Sequence, residues 1–268
     1  MPGEKMTRFY FARKEPYPID EFLDLLQKEA LHANARLEHP YVQLLVDGKV
    51  SIEQLRDYVK QDYQLKKCPS WWVAGRILNS PTIEDQKLIA KTFIEEMGGV
   101  DPRFTGHQAM YLAFGRALGL TERDLEQAEL LPSTILAVDM LMHINRHRSV
   151  AEALASGSVL GEQTNVRVTK LLVPAFRRHY GISDEGLIWF LEHEEADEGH
   201  GSLGESIVKK YATTKDMQNK IWDAIIRTKA AWWVFFDGLY STTFGGVNLP
   251  RYQVGRDLPM SYPMEPIQ

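Results

Sequence analysis

Cysteine is almost missing from this chain: Cys68 is the single one in 268 residues. One thiol forms no intrachain disulfide and builds no cysteine-based zinc site. Long apolar runs are missing too, since no stretch reaches the roughly 18 residues of a membrane span. The N-terminal MPGEKMTRFYFARKEPYPID has no apolar core, so no secretory signal is expected. Nor is there a basic excess: 31 Lys+Arg stand against 36 Asp+Glu, a net charge of −5, which leaves no basic stripe for nucleic acid. Alternating β-branched runs bounded by turns, the mark of strands, are nearly lacking. These absences lead us to expect a soluble, cytoplasmic, helical protein whose partners include neither nucleic acid nor a membrane.

What is present has the helical period. Phe22, Leu25 and Leu26 follow a three–four spacing, as do Leu55, Tyr58, Val59 and Tyr63. Ile135, Val138, Leu141 and Met142 repeat it, and so do Ile221, Ala224, Ile225, Thr228 and Ala231. Ser51 with Gln54 and Thr121 with Asp124 read as capped helix starts, and further starts are expected at Ser183 and Pro81. Stops are expected at Gly98-Gly99, Gly119, Gly181 and Gly245-Gly246. With 44% apolar residues and no linker, the chain has enough length for one core without staples. The pattern predicts an all-α bundle of about seven to nine helices. It forms a single domain over 1–268, with extended arms at about 1–18 and 246–268.

Chemistry concentrates in Trp189-Phe-Leu-Glu-His-Glu-Glu-Ala-Asp-Glu-Gly-His200. His193, Asp197 and His200 stand at i, i+4 and i+7, one face of a helix. Two imidazoles and a carboxylate suit iron, manganese or zinc. Interleaved Glu192, Glu194, Glu195 and Glu198 equally suit a solvated acidic face, and the spacing alone does not choose. Glu95 and Glu96 end another helix, and His107 opens the next; an exposed helix end and a capping histidine are the plainer readings. Glu162 lies in a small, apolar stretch, where a lone carboxylate is either exposed or paired. Three histidines and three carboxylates on neighbouring helices match the ligand balance of helical dimetal proteins. Asp139, His143 and His147 form a second stripe, but Arg146 and Arg148 beside it favour a cationic helix end. Tyr63, Lys66, Lys67, Trp71 and Trp72 share a region that either lines a pocket or divides into packed tryptophans and solvated lysines. Trp232, Trp233, Phe235, Phe236 and Tyr240 make an aromatic helix suited to core or dimer contact.

Glu38-His-Pro-Tyr41, Ser51-Ile-Glu-Gln-Leu-Arg-Asp-Tyr58, Leu131-Pro-Ser133 and Lys229…Trp232…Asp237 resemble the PqqC/TenA-like, haem-oxygenase-like all-α superfamily, over roughly residues 22–246. Within it, the chain is similar to the di-iron oxidase branch. That resemblance implies a Glu…His…Glu…H-x3-D-x2-H ligand set, carried here by Glu95 (or Glu96, with Glu95 favoured), His107, Glu162, His193, Asp197 and His200. Val100–Thr105 lengthens the interval before His107 and leaves the choice within the glutamate pair open. The resemblance implies two Fe, with Mn allowed in one position, and O2 oxidising a small-molecule substrate in a biosynthetic pathway, by a homodimer. It also argues against two sister activities. A TenA-type thiaminase needs a cysteine near 157–165, where there is none, and Cys68 reads instead as a small buried hydrophobe. A haem oxygenase needs an axial histidine in the first helix; His32 and His39 are available, but the metal set would then serve nothing. A cofactorless oxidase using the pocket histidines as acid and base, and a non-enzymatic metal-binding protein, are the competing readings.

Overall fold

A computed structural model describes residues 14–99 and 106–254. The described residues are helical apart from connecting turns and one antiparallel bridge between Leu130 and Tyr252. In chain order the helices are α1 (Ile19–Leu31), α2 (Ala35–Glu38), α3 (Pro40–Val46), α4 (Ile52–Lys66), α5 (Pro69–Leu78), α6 (Ile83–Glu96), α7 (His107–Ala117) and α8 (Glu122–Glu126). There follow α9 (Pro132–His147), α10 (Val150–Leu154), a π-helical segment (Ala155–Glu162), α11 (Gln163–Tyr180), α12 (Ile188–Tyr211) and α13 (Lys215–Thr243). The all-α expectation holds.

Local chemistry explains the boundaries. Ser51–Gln54 and Thr121–Asp124 close capping boxes at α4 and α8. A third box, Ser149–Glu152, opens α10. Pro40, Pro69 and Pro132 begin helices, where a missing N–H costs nothing. Two expected starts move. Helix α6 is capped by Thr82, which accepts from Asp85 N, so it begins after Pro81. Ser183 belongs to a turn, and α12 begins at Ile188. Gly98, Gly99, Gly119, Gly181 and Gly246 all have positive φ, the left-handed stop that glycine adopts most readily.

Two clusters of buried side chains make the interior. One joins α3, α4, α7 and α9 to the aromatic end of α13, with Tyr63, Tyr111, Phe176, Phe190 and Phe235 at its centre. The other gathers Phe22, Leu26, Leu160, Ile207 and Trp222 from α1, the π segment, α12 and the start of α13. Trp232, Phe235 and Phe236 are buried, so most of the aromatic helix serves this core. A buried Glu29–Lys229 ion pair clamps α1 to α13, and the same ammonium donates to Glu29 O at 2.9 Å. The described part of the C-terminal arm lies against the bundle: Arg251 grips Asp57 with two hydrogen bonds of 2.7 Å, beside the Leu130–Tyr252 bridge. The rest of both arms lies outside the described residues.

His39 is a cap. Its Nδ1 accepts from Tyr41 N at 3.0 Å, its Nε2 lies 3.1 Å from Asp237 Oδ1, and its ring stacks on Phe236. Burial lowers its pKa, against the opposing pull of Asp237. Both nitrogens are thus committed and His32 is exposed, so neither is placed as a haem ligand.

Cys68 is buried, and its Sγ donates to Gln64 O. Burial pushes the thiol up to about 12. The reactive thiolate is therefore scarce at neutral pH. We expect native protein to react with a thiol reagent at pH 8 about a thousandfold more slowly than unfolded protein, measured by labelling in buffer and in denaturant.

Candidate metal centre

A cavity lies where the two buried clusters meet, bordered by Leu65, Leu141, Trp189 and Trp232 from one and by Val73 and Leu160 from the other. Its empty space, mouth included, is about 960 Å³. Glu96 and His107 stand on its wall. They also line an adjoining pocket shared with Lys66, Lys67 and Gln108.

Helix geometry places Glu96 there. Thr92 and Glu96 both line the cavity and are one turn apart on α6. Glu95, about 100° further round the helix, is exposed. The sequence reading favoured Glu95; the structure brings Glu96 to His107 instead. Glu96 Oε2 is 2.6 Å from His107 Nδ1, with both side chains about six-sevenths buried (14% and 16% exposed). Yet Glu96 Oε2 has no hydrogen-bond partner of acceptable geometry. A carboxylate and an imidazole paired this closely on a cavity wall are a donor set that suits a metal ion.

The remaining predicted ligands sit on elements packed together. Glu162 is the last residue of the π segment, and His193, Asp197 and His200 lie in the continuous helix α12; their side chains are outside the described residues. Helix α12 packs against α6, α7 and the π segment, the three elements that carry the other predicted ligands. The approach is close: a Cβ on Gly204 would come within 2.2 Å of Ser158 Cβ. The π segment is pinned at both ends. Ser156 Oγ and Thr228 Oγ1 are 2.6 Å apart, and Asn34 donates to Thr164 Oγ1 at 2.9 Å. A π turn widens the helix by one residue and is typical of functional sites. Among the described residues no three His, Cys, Asp or Glu side chains gather, and four of the six predicted ligands lie outside them. The Asp139–His143–His147 stripe does not gather either: both histidines are exposed, their rings 5.6 Å apart.

Three cations line the same cavity: Lys66, which the sequence offers as a pocket residue, and Arg36 and Arg76, which it does not single out. Arg76 donates to Asn145 Oδ1 at 2.8 Å and rests on bare backbone, since a Cβ at Gly157 would come within 1.9 Å of its Nη2. Arg36 donates to Asn165 Oδ1 at 2.7 Å and lies over Trp232. Lys66, one of two lysines set down as solvated on the plainer reading, is buried. Its ammonium lies 4.4 Å from the Trp189 ring and 3.9 Å from Asp62 Oδ2, and burial pulls its pKa down to about 8. Trp72 lines the cavity, while Trp71 is 39% exposed. The only signal for Arg76 was a single charge in the otherwise apolar stretch Trp71–Leu78. Gly157→Ala is expected to displace Arg76 and cost about 1–3 kcal/mol, the penalty of overpacking. Chemical denaturation checks the cost, and Gly161→Ala, whose nearest contact is an ordinary 3.7 Å, is the control.

Comparison with known proteins shows the family and the fold. A family model described as iron-containing redox enzyme matches residues 56–233. The chain is 28% identical over 214 residues to a 4-aminobenzoate synthase of Nitrosomonas europaea, covering 76% of this chain and 85% of that protein. It is 25% identical over 214 residues to a pyrroloquinoline-quinone synthase of Granulibacter bethesdensis, covering 79% and 82%. A TenA homologue from Pseudomonas syringae pv. tomato superposes with a TM-score of 0.70 at 14% identity, over 85% of this chain and 99% of that one. A domain with a haem-oxygenase-like fold from Shewanella denitrificans gives 0.67 at 16% identity, over 83% and 94%. The structural likenesses establish the haem-oxygenase-like, TenA-like fold.

Proposed function

The chain belongs to the family of iron-containing redox enzymes, and from that premise we propose that it is a non-haem di-iron oxidase or oxygenase. In this reading O2 oxidises a small organic substrate in a biosynthetic pathway, and the enzyme works as a cytoplasmic homodimer. The relatives named as synthases of 4-aminobenzoate and pyrroloquinoline quinone support a biosynthetic role. One observation carries the metal assignment: Glu96 Oε2 and His107 Nδ1 pair at 2.6 Å on the cavity wall, a carboxylate and an imidazole from two neighbouring helices.

The proposed ligands are Glu96 in place of Glu95, together with His107, Glu162, His193, Asp197 and His200. Carboxylate and imidazole accept iron at both positions, or manganese at one. The metal, when bound, supplies the electrons that reduce O2. The chain's own residues do the rest. Trp72, Trp189 and Trp232 wall the cavity and keep bulk water from the reacting groups. Arg36, Lys66 and Arg76 give that wall a positive field, which draws anionic substrate groups inward. Lys66, with a pKa of about 8, exchanges a proton near neutral pH.

Anaerobic loading with Fe(II) followed by an O2 pulse tests the reading. Iron-loaded protein should consume O2 in proportion to its iron, and chelated, metal-free protein should consume none. Uptake by metal-free protein at the same rate would favour the cofactorless reading; bound iron inert to O2 would favour a metal-binding protein without oxidase activity.

A further inference from the structure

Two tyrosines connect the cavity to the surface, and each has a carboxylate in place to take its proton. Tyr111 is one turn after His107 on α7, and Trp189 is one turn before His193 on α12. Their ring centroids are 5.6 Å apart, edge to face, and Trp189 lines the cavity. From Tyr111 the next ring outward is Tyr63, at 6.4 Å and nearly parallel. Both separations fall in the aromatic contact range of roughly 4.5–7 Å, short enough for rapid electron tunnelling between rings. Tyr111 donates its hydroxyl hydrogen to Asp62 Oδ2 at 2.6 Å. Tyr63 donates its own to Glu126 Oε1, accepts from Gln108 Nε2 at 2.9 Å, and so ends beside a partly exposed carboxylate.

This wiring is more than packing requires. Two buried phenols on one path, each bonded to a carboxylate, can be oxidised without leaving a charge in the core, because the proton moves as the electron does. Trp189 is different. The Lys66 ammonium 4.4 Å from its ring favours the neutral, electron-rich indole, so an oxidising equivalent rests on the tyrosines.

We infer that Tyr111 and Tyr63 form a one-electron relay that carries an oxidising equivalent from the proposed iron centre outward to the Tyr63–Glu126 pair. Tyr111 gives an electron to iron that O2 has oxidised, and its proton to Asp62. Tyr63 then reduces Tyr111, which recovers its proton from Asp62, while the Tyr63 proton passes to Glu126. The sum is one electron and one proton out of Tyr63: the electron to the iron, the proton to Glu126, and a neutral radical left on Tyr63. This inference rests on the iron reading above.

The test is electron paramagnetic resonance of Fe(II)-loaded protein frozen after an O2 pulse, with no reductant present, and with iron oxidation followed separately by Mössbauer spectroscopy. We expect a neutral tyrosyl radical in the wild type, with hyperfine structure that changes when ring-deuterated tyrosine is incorporated. In Tyr63→Phe the radical should be held at Tyr111 and relax faster, being nearer the metal. In Tyr63→Phe/Tyr111→Phe it should vanish while iron still oxidises. Oxidised iron with no radical in the wild type, or with the same radical in the double variant, overturns the relay and leaves the iron reading standing. Failure to bind or oxidise iron overturns both. Circular dichroism of each variant confirms the fold before the spectra are compared.

Discussion

His107→Ala is expected to lower iron affinity by more than 100-fold while the protein stays folded. Changing residues that merely orient a ligand costs about 10–100-fold in metal affinity, so removing a ligand itself should cost more. The helix start does not depend on this side chain. His107 is the first residue of α7, and the cap there is Gly106, so no capping bond is lost with the imidazole. The glutamate pair sharpens the test. Glu96→Ala should lose iron as His107→Ala does, because Glu96 Oε2 shares the wall with His107 Nδ1. Glu95→Ala, on the exposed side of α6, should bind as the wild type does. Equal losses in Glu95→Ala and Glu96→Ala would remove the geometric choice made here. Isothermal titration with Fe(II) under anaerobic conditions measures all three.

Lys229→Met should destabilise the protein by about 3–5 kcal/mol, the cost of leaving one member of a buried ion pair uncompensated. Glu29 and Lys229 are each only 9% exposed at the side chain, and they join the first long helix to the last. The double variant Glu29→Leu/Lys229→Met should recover most of the loss, since apolar residues of similar volume often replace a buried pair at no net cost. Urea denaturation of the two single variants and the double gives the coupling directly. A double variant no more stable than Lys229→Met would mean that the clamp acts through the Lys229 bond to Glu29 O, which survives in neither.

Most of the fold was legible because helices announce themselves locally. The apolar period, the boxes at Ser51 and Thr121 and the positive-φ glycines are all short-range features. The displaced starts of α6 and α12 show the limit of such reading. A proline or serine can open a helix, but only the cap actually formed fixes the first residue, and at α6 that cap is Thr82. The H-x3-D-x2-H face on α12 was legible as a pattern, and the packing of α12 on α6, α7 and the π segment gives it neighbours. Which glutamate turns inward was not legible, because adjacent residues differ only in helical phase and the segment after Gly99 obscures it. The cavity cations were only half legible. The sequence leaves Lys66 between a pocket and solvent; Asp62 and two tryptophans from α12 and α13 close over it, and those contacts span much of the chain.

The central claim is that this helical cavity holds two metal ions on carboxylate and histidine side chains. Native mass spectrometry after anaerobic Fe(II) loading and desalting tests it most directly. The account predicts a mass increase of about two irons per chain, reduced in Glu96→Ala and His107→Ala and unchanged in Glu95→Ala. A wild-type chain that carries no metal under these conditions, or carries as much in His107→Ala as in the wild type, would contradict it.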